Sequence, residues 1–216
     1  MKKLILLLSS ILLSSCTAET ELKEKQSILV IGNSITAHEP LGEWKGNWGM
    51  AATSPDKDFC GILAQTFDLD KKTIAVWENN FNCSEEYYKF ISDKQYDYVI
   101  FKIGENVSNT EDFKLEFQKL IDLYKNYGEN LVLVTTIWKD YKFNEDNIPQ
   151  ETESKRDKII RELALENNLI LVDLSEMKEN PKNYAWGEYK DGAIASHPSD
   201  KGMKFIADRI LENLLK

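Results

Sequence analysis

The sequence predicts an α/β protein of three layers, α/β/α, with a five-stranded parallel sheet between two sets of helices. Five apolar runs rich in β-branched residues stand out, at residues 28–31, 73–77, 98–103, 131–137 and 169–172. Their apolarity is near-continuous rather than alternating, as strands covered on both faces require. The segments between them have helical spacing instead, and strand–helix alternation of this kind specifies parallel strands joined by crossover helices.

Three helical stripes are explicit. Phe113, Phe117, Leu120, Ile121 and Tyr124 fall on one face, and Ile159, Ile160, Leu163 and Ala164 on another. The last helix carries Met203, Ile206, Ile210, Leu211 and Leu214, with Ser199 placed as its N-cap. In an open sheet of this class, sites form at the carboxyl ends of the strands.

The N-terminus reads as an address. Lys2 and Lys3 precede an apolar run over residues 4–13, and Ser14-Ser15-Cys16 closes it. The run is too short to span a membrane and has the layout of a secretory signal at residues 1–15. Cys16 resembles the acylated cysteine of a bacterial lipoprotein, so export and a lipid anchor at Cys16 are expected. Residues 16–26 are polar and read as a tether, and residues 27–216 as one domain. Cleavage would remove Lys2 and Lys3 and take the formal net charge from −9 to −11. That charge, with Arg156, Arg161 and Arg209 as the only arginines, argues against nucleic acid as a partner and against phosphoryl chemistry. The two histidines are far apart, and Cys60 and Cys83 have no close-spaced partner, so no metal is expected. In an exported protein Cys60 and Cys83 form a disulfide or remain as two buried thiols. No cofactor is expected, and the oligomeric state is not specified.

The first strand runs into Gly32-Asn33-Ser34-Ile35-Thr36, which can present a hydroxyl at the mouth of the sheet. A serine hydroxyl needs a base to become a nucleophile, and only His38 and His197 are available. His38 shares the loop of Ser34. His197, ahead of Pro198 and the final helix, sits on a separate element and is preferred.

These residues resemble the SGNH (GDSL-like) hydrolases over residues 27–216. Gly32-Asn33-Ser34-Ile35-Thr36 is similar to the family's first block, which holds the nucleophile. Gly104-Glu105-Asn106 is similar to its Gly-x-Asn block, whose asparagine donates to the oxyanion hole. The stretch from His197-Pro198 to Gly202-Met203 is similar to the block that carries the base. The resemblance implies a flavodoxin-like SGNH fold and a serine esterase that removes acetyl or other small acyl groups. Ser34 and His197 would be catalytic, and the Ser34 backbone and Asn106 would bind the oxyanion.

Two positions depart from the pattern. The glycine expected after the second strand is missing from Trp77-Glu78-Asn79-Asn80-Phe81, which leaves the backbone of Asn79 or Asn80 as the expected donor. Ile194 stands where the family places an aspartate three residues before the histidine. Asp191 is the expected substitute and Asp200 the weaker one, because a carboxylate in the first turn of a helix is already explained by the helix dipole. Trp44 and Trp48, in a loop on the nucleophile's side, are candidate substrate-binding residues or lids on the core. Trp138, Tyr184 and Trp186 follow later strands and favour an acylated glycan over a small soluble ester. The competing readings are a surface glycan-binding lipoprotein that has lost turnover, and a flavodoxin-like binder of a cofactor phosphate, which the acidic charge disfavours.

Overall fold

A computed structural model of the chain describes residues 25–81, 94–145 and 148–216. The expected signal segment, Cys16 and Cys83 lie outside the described residues, and with Cys83 the expected Cys60–Cys83 pairing. No helix among the described residues is long and apolar enough to cross a membrane.

The elements in chain order are β1 (Ser27–Gly32), α1 (Phe59–Leu63), β2 (Asp68–Thr73), α2 (Ala75–Asn80), β3 (Tyr96–Lys102), α3 (Thr110–Tyr124) and β4 (Gly128–Val134). A hairpin follows, β5 (Asp140–Phe143) with β6 (Pro149–Thr152). Then come α4 (Lys155–Glu166), β7 (Ile170–Val172), two 3-10 turns, α5 (Gly192–Ala195) and α6 (Asp200–Leu214). The five-stranded sheet has the order β2-β1-β3-β4-β7, and every pair in it is parallel. The predicted three-layer α/β/α architecture is present.

Side chains divide between the two faces of the sheet with the period of two that a strand imposes. From β1, Leu29 and Ile31 enter one core with Trp77 of α2, Phe113 and Phe117 of α3, and Ile160 and Leu163 of α4. Ile28 and Val30 enter the other, with Phe59 and Leu63 of α1 and Met203, Ile206 and Ile210 of α6. Ile28, Leu29, Val30 and Ile31 are all fully buried, which is why their apolarity runs on without alternation. The helix starts are capped as their sequences suggest. Asn109, Ser154 and Ser199 each accept a backbone N–H from the first turn of α3, α4 and α6.

The second strand departs from expectation. The apolar run at 73–77 is not a strand; it crosses from the end of β2 into α2, where Trp77 packs against Phe81, Phe113 and Phe117. The strand itself is the polar segment Asp68-Leu69-Asp70-Lys71-Lys72-Thr73. It lies at the edge of the sheet with one neighbour, so it does not need two apolar faces. The β5–β6 hairpin, short and polar, has no apolar signature and was not expected.

Phe117 is fully buried and touches the rings of Trp77, Phe101 and Phe113. Phe117→Ala is expected to cost about 3–5 kcal/mol of folding stability, read as a lower urea midpoint with an unchanged m-value. A loss below ~1 kcal/mol would show that this core closes around the gap.

Candidate active site

The carboxyl ends of β1 and β3 lie side by side, with Gly32 opposite Lys102. A Cβ on Gly32 would stand 1.9 Å from Thr36 Oγ1 and 2.8 Å from the Lys102 carbonyl oxygen, so only glycine fits where the chain leaves the strand. The turn that follows is tight. Thr36 and Ala37 donate their N–H groups to the Asn33 carbonyl at 2.9 and 3.1 Å, and Asn33 Oδ1 accepts the Ile35 N–H at 3.1 Å. Ser34 is thereby presented at the mouth of the sheet, and its own N–H has no acceptor among the described residues.

His197 occupies the short turn between α5 and α6, and its Nε2 lies 2.7 Å from Ser34 Oγ. Its other nitrogen, Nδ1, lies 2.8 Å from the carbonyl oxygen of Ala193. A carbonyl only accepts, so Nδ1 carries the proton and the lone pair of Nε2 faces the serine hydroxyl. That is the tautomer a general base needs. Trp138 sets an edge against the imidazole, ring centroids 6.2 Å apart, and donates Nε1–H to the Ser196 carbonyl at 3.1 Å. Burial is the main influence on the ring and holds its pKa below the ordinary 6.5, with the Ala193 bond opposing.

Asp191 does not touch the histidine. Its carboxylate caps α5 by accepting the Ala193 N–H at 2.8 Å, and so acts on the residue whose carbonyl holds the ring. The expectation of an acid at Nδ1 is corrected to a backbone carbonyl. The helical turn brings the oxygen four residues before His197 under the imidazole, and among the described residues no carboxylate takes that place. Asp200 accepts the N–H and hydroxyl of Thr53, each at 2.7 Å, and pairs with Lys57. His38 bonds the Glu39 carbonyl within its own loop.

The Gly104-Glu105-Asn106 turn leaves β3 beside Ser34's loop. Gly104 has φ +121°, a conformation other residues rarely adopt. Asn106 is exposed at the mouth, yet its Nδ2 is bound by Glu78 Oε2 at 2.7 Å. Glu78 Oε1 accepts from Gly104 N at 2.7 Å, Asn33 Nδ2 at 3.0 Å and Asn106 N at 3.3 Å. Asn33 Nδ2 also donates to Glu105 Oε2 at 2.8 Å, and Glu105 pairs with the fully buried Lys102. Arg156 donates to the Glu105 carbonyl and bonds Asp140 at the start of the hairpin. Burial pushes the Glu78 pKa up, helped by the charge of Glu105, while its hydrogen bonds to Asn106, Asn33 and Gly104 pull it down.

Asn79, the expected oxyanion donor, is corrected. It lies in α2 past the first turn, where a backbone N–H serves the helix's own ladder, and its side chain is exposed. The chain becomes helical directly after β2, so no open loop remains there to donate. Trp44 is also corrected. It is buried with Met50, Ala51, Ala185 and Ile194, edge-on to Trp48 at 5.3 Å, and is a packing residue of the loop. Trp48 is half-buried and donates to the Ala52 carbonyl. Glu78, Glu105 and Lys102 escaped the sequence reading. The available signal was Lys102, a charge inside the otherwise apolar run at residues 98–103, which demands a buried partner.

Because its folded-state pKa lies below 6.5, His197 resists protonation that the unfolded chain accepts. Its contribution to stability is complete above about pH 6.5 and declines as pH falls through that value. In an NMR titration His197 is expected to show the Nδ1–H tautomer and a midpoint below 6.5, and Asp191→Asn, which retains a good capping oxygen, to leave both unchanged. A changed tautomer in Asp191→Asn would restore the acid to the imidazole.

No protein-family model and no curated protein matches the chain. Solved structures do. A catalytic mutant of an acetylxylan esterase from Geobacillus stearothermophilus is 15% identical, with TM-score 0.53, over 88% of this chain and 94% of its own. A member of the lipolytic G-D-S-L family from Veillonella parvula gives the same identity and TM-score, over 88% and 98%. Protein YXIM of Bacillus subtilis is 19% identical with TM-score 0.58, and this chain spans 56% of its length. The chain therefore has the fold of the solved SGNH (G-D-S-L-type) hydrolases.

Proposed function

We propose that the protein is a serine esterase that removes acetyl or other small acyl groups from a carbohydrate. The observation that carries the reading is the 2.7 Å contact between Ser34 Oγ and His197 Nε2, with the ring proton held on Nδ1 by Ala193. Ser34 Oγ attacks the ester carbonyl carbon as His197 Nε2 takes its proton. The carbonyl oxygen becomes an oxyanion facing the Ser34 N–H and the Asn106 amide. The intermediate collapses, the imidazolium protonates the departing sugar oxygen, and an acyl-Ser34 ester remains. Water, deprotonated by His197, releases the acid and restores the serine. A carbonyl at Nδ1 fixes the tautomer and orientation, as the acid of a triad does, but supplies no full charge to the imidazolium.

The carbohydrate assignment rests on a groove beside the histidine. Trp138, Tyr141, Tyr184, Trp186 and Pro181 line a volume of about 270 Å³, and Trp138 is the ring that abuts His197. Trp186 and Tyr141 are more than half exposed, and flat aromatic faces of this kind stack against the apolar faces of sugar rings. The groove's two cations are already paired, Lys139 with Glu151 and Glu179, and Lys178 with Asp157, which favours a neutral glycan over an anionic one. The second reading, a glycan-binding protein without turnover, draws on the missing carboxylate at Nδ1. Export and acylation at Cys16 belong to the same proposal, since a surface anchor would set the groove against extracellular glycans. Cys16→Ala is expected to move the protein from the membrane to the soluble fraction.

Ser34→Ala is expected to lower aryl-acetate hydrolysis by at least ~10³-fold with an unchanged melting temperature, and a fluorophosphonate to form its adduct on Ser34. Wild-type turnover in the alanine variant defeats the esterase reading. Binding of an acetylated oligosaccharide without any acyl-enzyme burst would favour the second one. Trp186→Ala is expected to raise KM for an acetylated disaccharide several-fold and leave aryl-acetate KM unaltered; equal effects on both would remove the groove from substrate binding.

A further inference from the structure

We propose that Glu78 is the positioning residue of the oxyanion site, holding the Asn106 amide and the backbone beneath it, with Asn33 as the neighbour that lets a carboxylate sit there. The inference rests on the esterase reading above and names a residue that reading does not use.

Glu78 is 1% exposed, and a carboxylate so buried is costly unless its oxygens are bonded. Four N–H donors surround it: Asn33 Nδ2, Gly104 N, Asn106 N and Asn106 Nδ2. A carboxylate, which only accepts, satisfies all four, whereas a glutamine would turn an NH₂ towards at least one of them. The bond to Asn106 Nδ2 has two consequences for chemistry. It fixes which end of the asparagine amide carries the nitrogen, so the side chain cannot flip and offer its oxygen to a developing oxyanion. It also occupies one amide hydrogen and leaves the other to be given at the mouth. The bonds to Gly104 N and Asn106 N hold the turn that carries that amide.

Asn33 explains how the acid is tolerated. Its Oδ1 is committed to the Ile35 N–H, so its Nδ2 points to Glu78 Oε1 and Glu105 Oε2 and separates the two. An aspartate at residue 33 would add a third carboxylate beside Glu78 and the Glu105 that pairs with Lys102. It would also leave Ser34 on a turn that like charges push apart.

The test compares wild type, Glu78→Gln and Phe67→Ala with an aryl acetate, each confirmed folded by circular dichroism at the assay temperature. Glu78→Gln is expected to lose ~10–100-fold in kcat with KM changed less than about threefold, since a misplaced oxyanion donor acts on the transition state. Phe67→Ala, in the core on the other face of the sheet and at the amino end of β2, is destabilised away from the site and is expected to keep its kcat, which separates positioning from general loss of stability. A second measurement needs no mutant of Glu78. In the wild-type protein one hydrogen of the Asn106 side-chain amide, assigned with Asn106→Ala, is expected to be shifted downfield and protected from exchange while its partner is not. An averaged, exchanging pair would overturn the proposal even if Glu78→Gln fails to fold. An active wild type whose Glu78→Gln variant keeps kcat within about twofold also overturns it and leaves the esterase reading standing. A wild type that neither hydrolyses the ester nor labels at Ser34 removes both.

Discussion

Strand β1 is hydrogen-bonded on both sides, to β2 and β3, and its apolar side chains are fully buried on both faces. A strand held on four sides cannot shift register or tilt without breaking two ladders and two cores at once. Its carboxyl end is therefore a rigid point from which to present a side chain, and Ser34 is two residues beyond it. Gly32 completes the constraint, because the close approach of Thr36 and the Lys102 carbonyl leaves no room for a Cβ. Parallel pairing with β3 then delivers the Gly104–Asn106 turn to the same edge with no further device.

Around that edge the protein accepts charges that its core would otherwise reject. Lys102, Glu105 and Glu78 are all buried, and each is stabilised by a named partner: an ion pair for the first two, four N–H donors for the third. Such a cluster adds little to net stability, because the cost of removing charges from water offsets their attraction. Its effect is geometric. Hydrogen bonds to charged groups have strict directions, so the loops after β1 and β3 are locked to α2 and to one another where apolar packing alone would let them slide.

The base is held differently from the nucleophile. His197 sits between a four-residue helix and the long α6, and it is fixed by the Ala193 carbonyl at Nδ1, by Trp138 at its edge and by burial. Asp191 contributes one step away, by capping the helix that offers the carbonyl. The same Trp138 lines the aromatic groove, so the groove and the imidazole share one side chain.

By itself the sequence determined the three-layer fold, four of the five sheet strands, the apolar faces of the long helices, and Ser34, His197 and Asn106 as residues at one edge. Those features follow from local periodicity, cap chemistry and short motifs, which a linear chain displays directly. The second strand was misplaced because an edge strand needs no doubly apolar pattern, and the nearby apolar run belonged to α2. Tertiary structure alone decided what holds the site. The carbonyl under His197 has no residue type to announce it, since every residue carries one. Glu78 reaches Asn33 and Asn106 from 45 and 28 residues away. Trp44 turned inward because Met50, Ala185 and Ile194 close over it from distant segments. Burial and hydrogen-bond partnership are relations between residues brought together by folding, and no single stretch of sequence contains them.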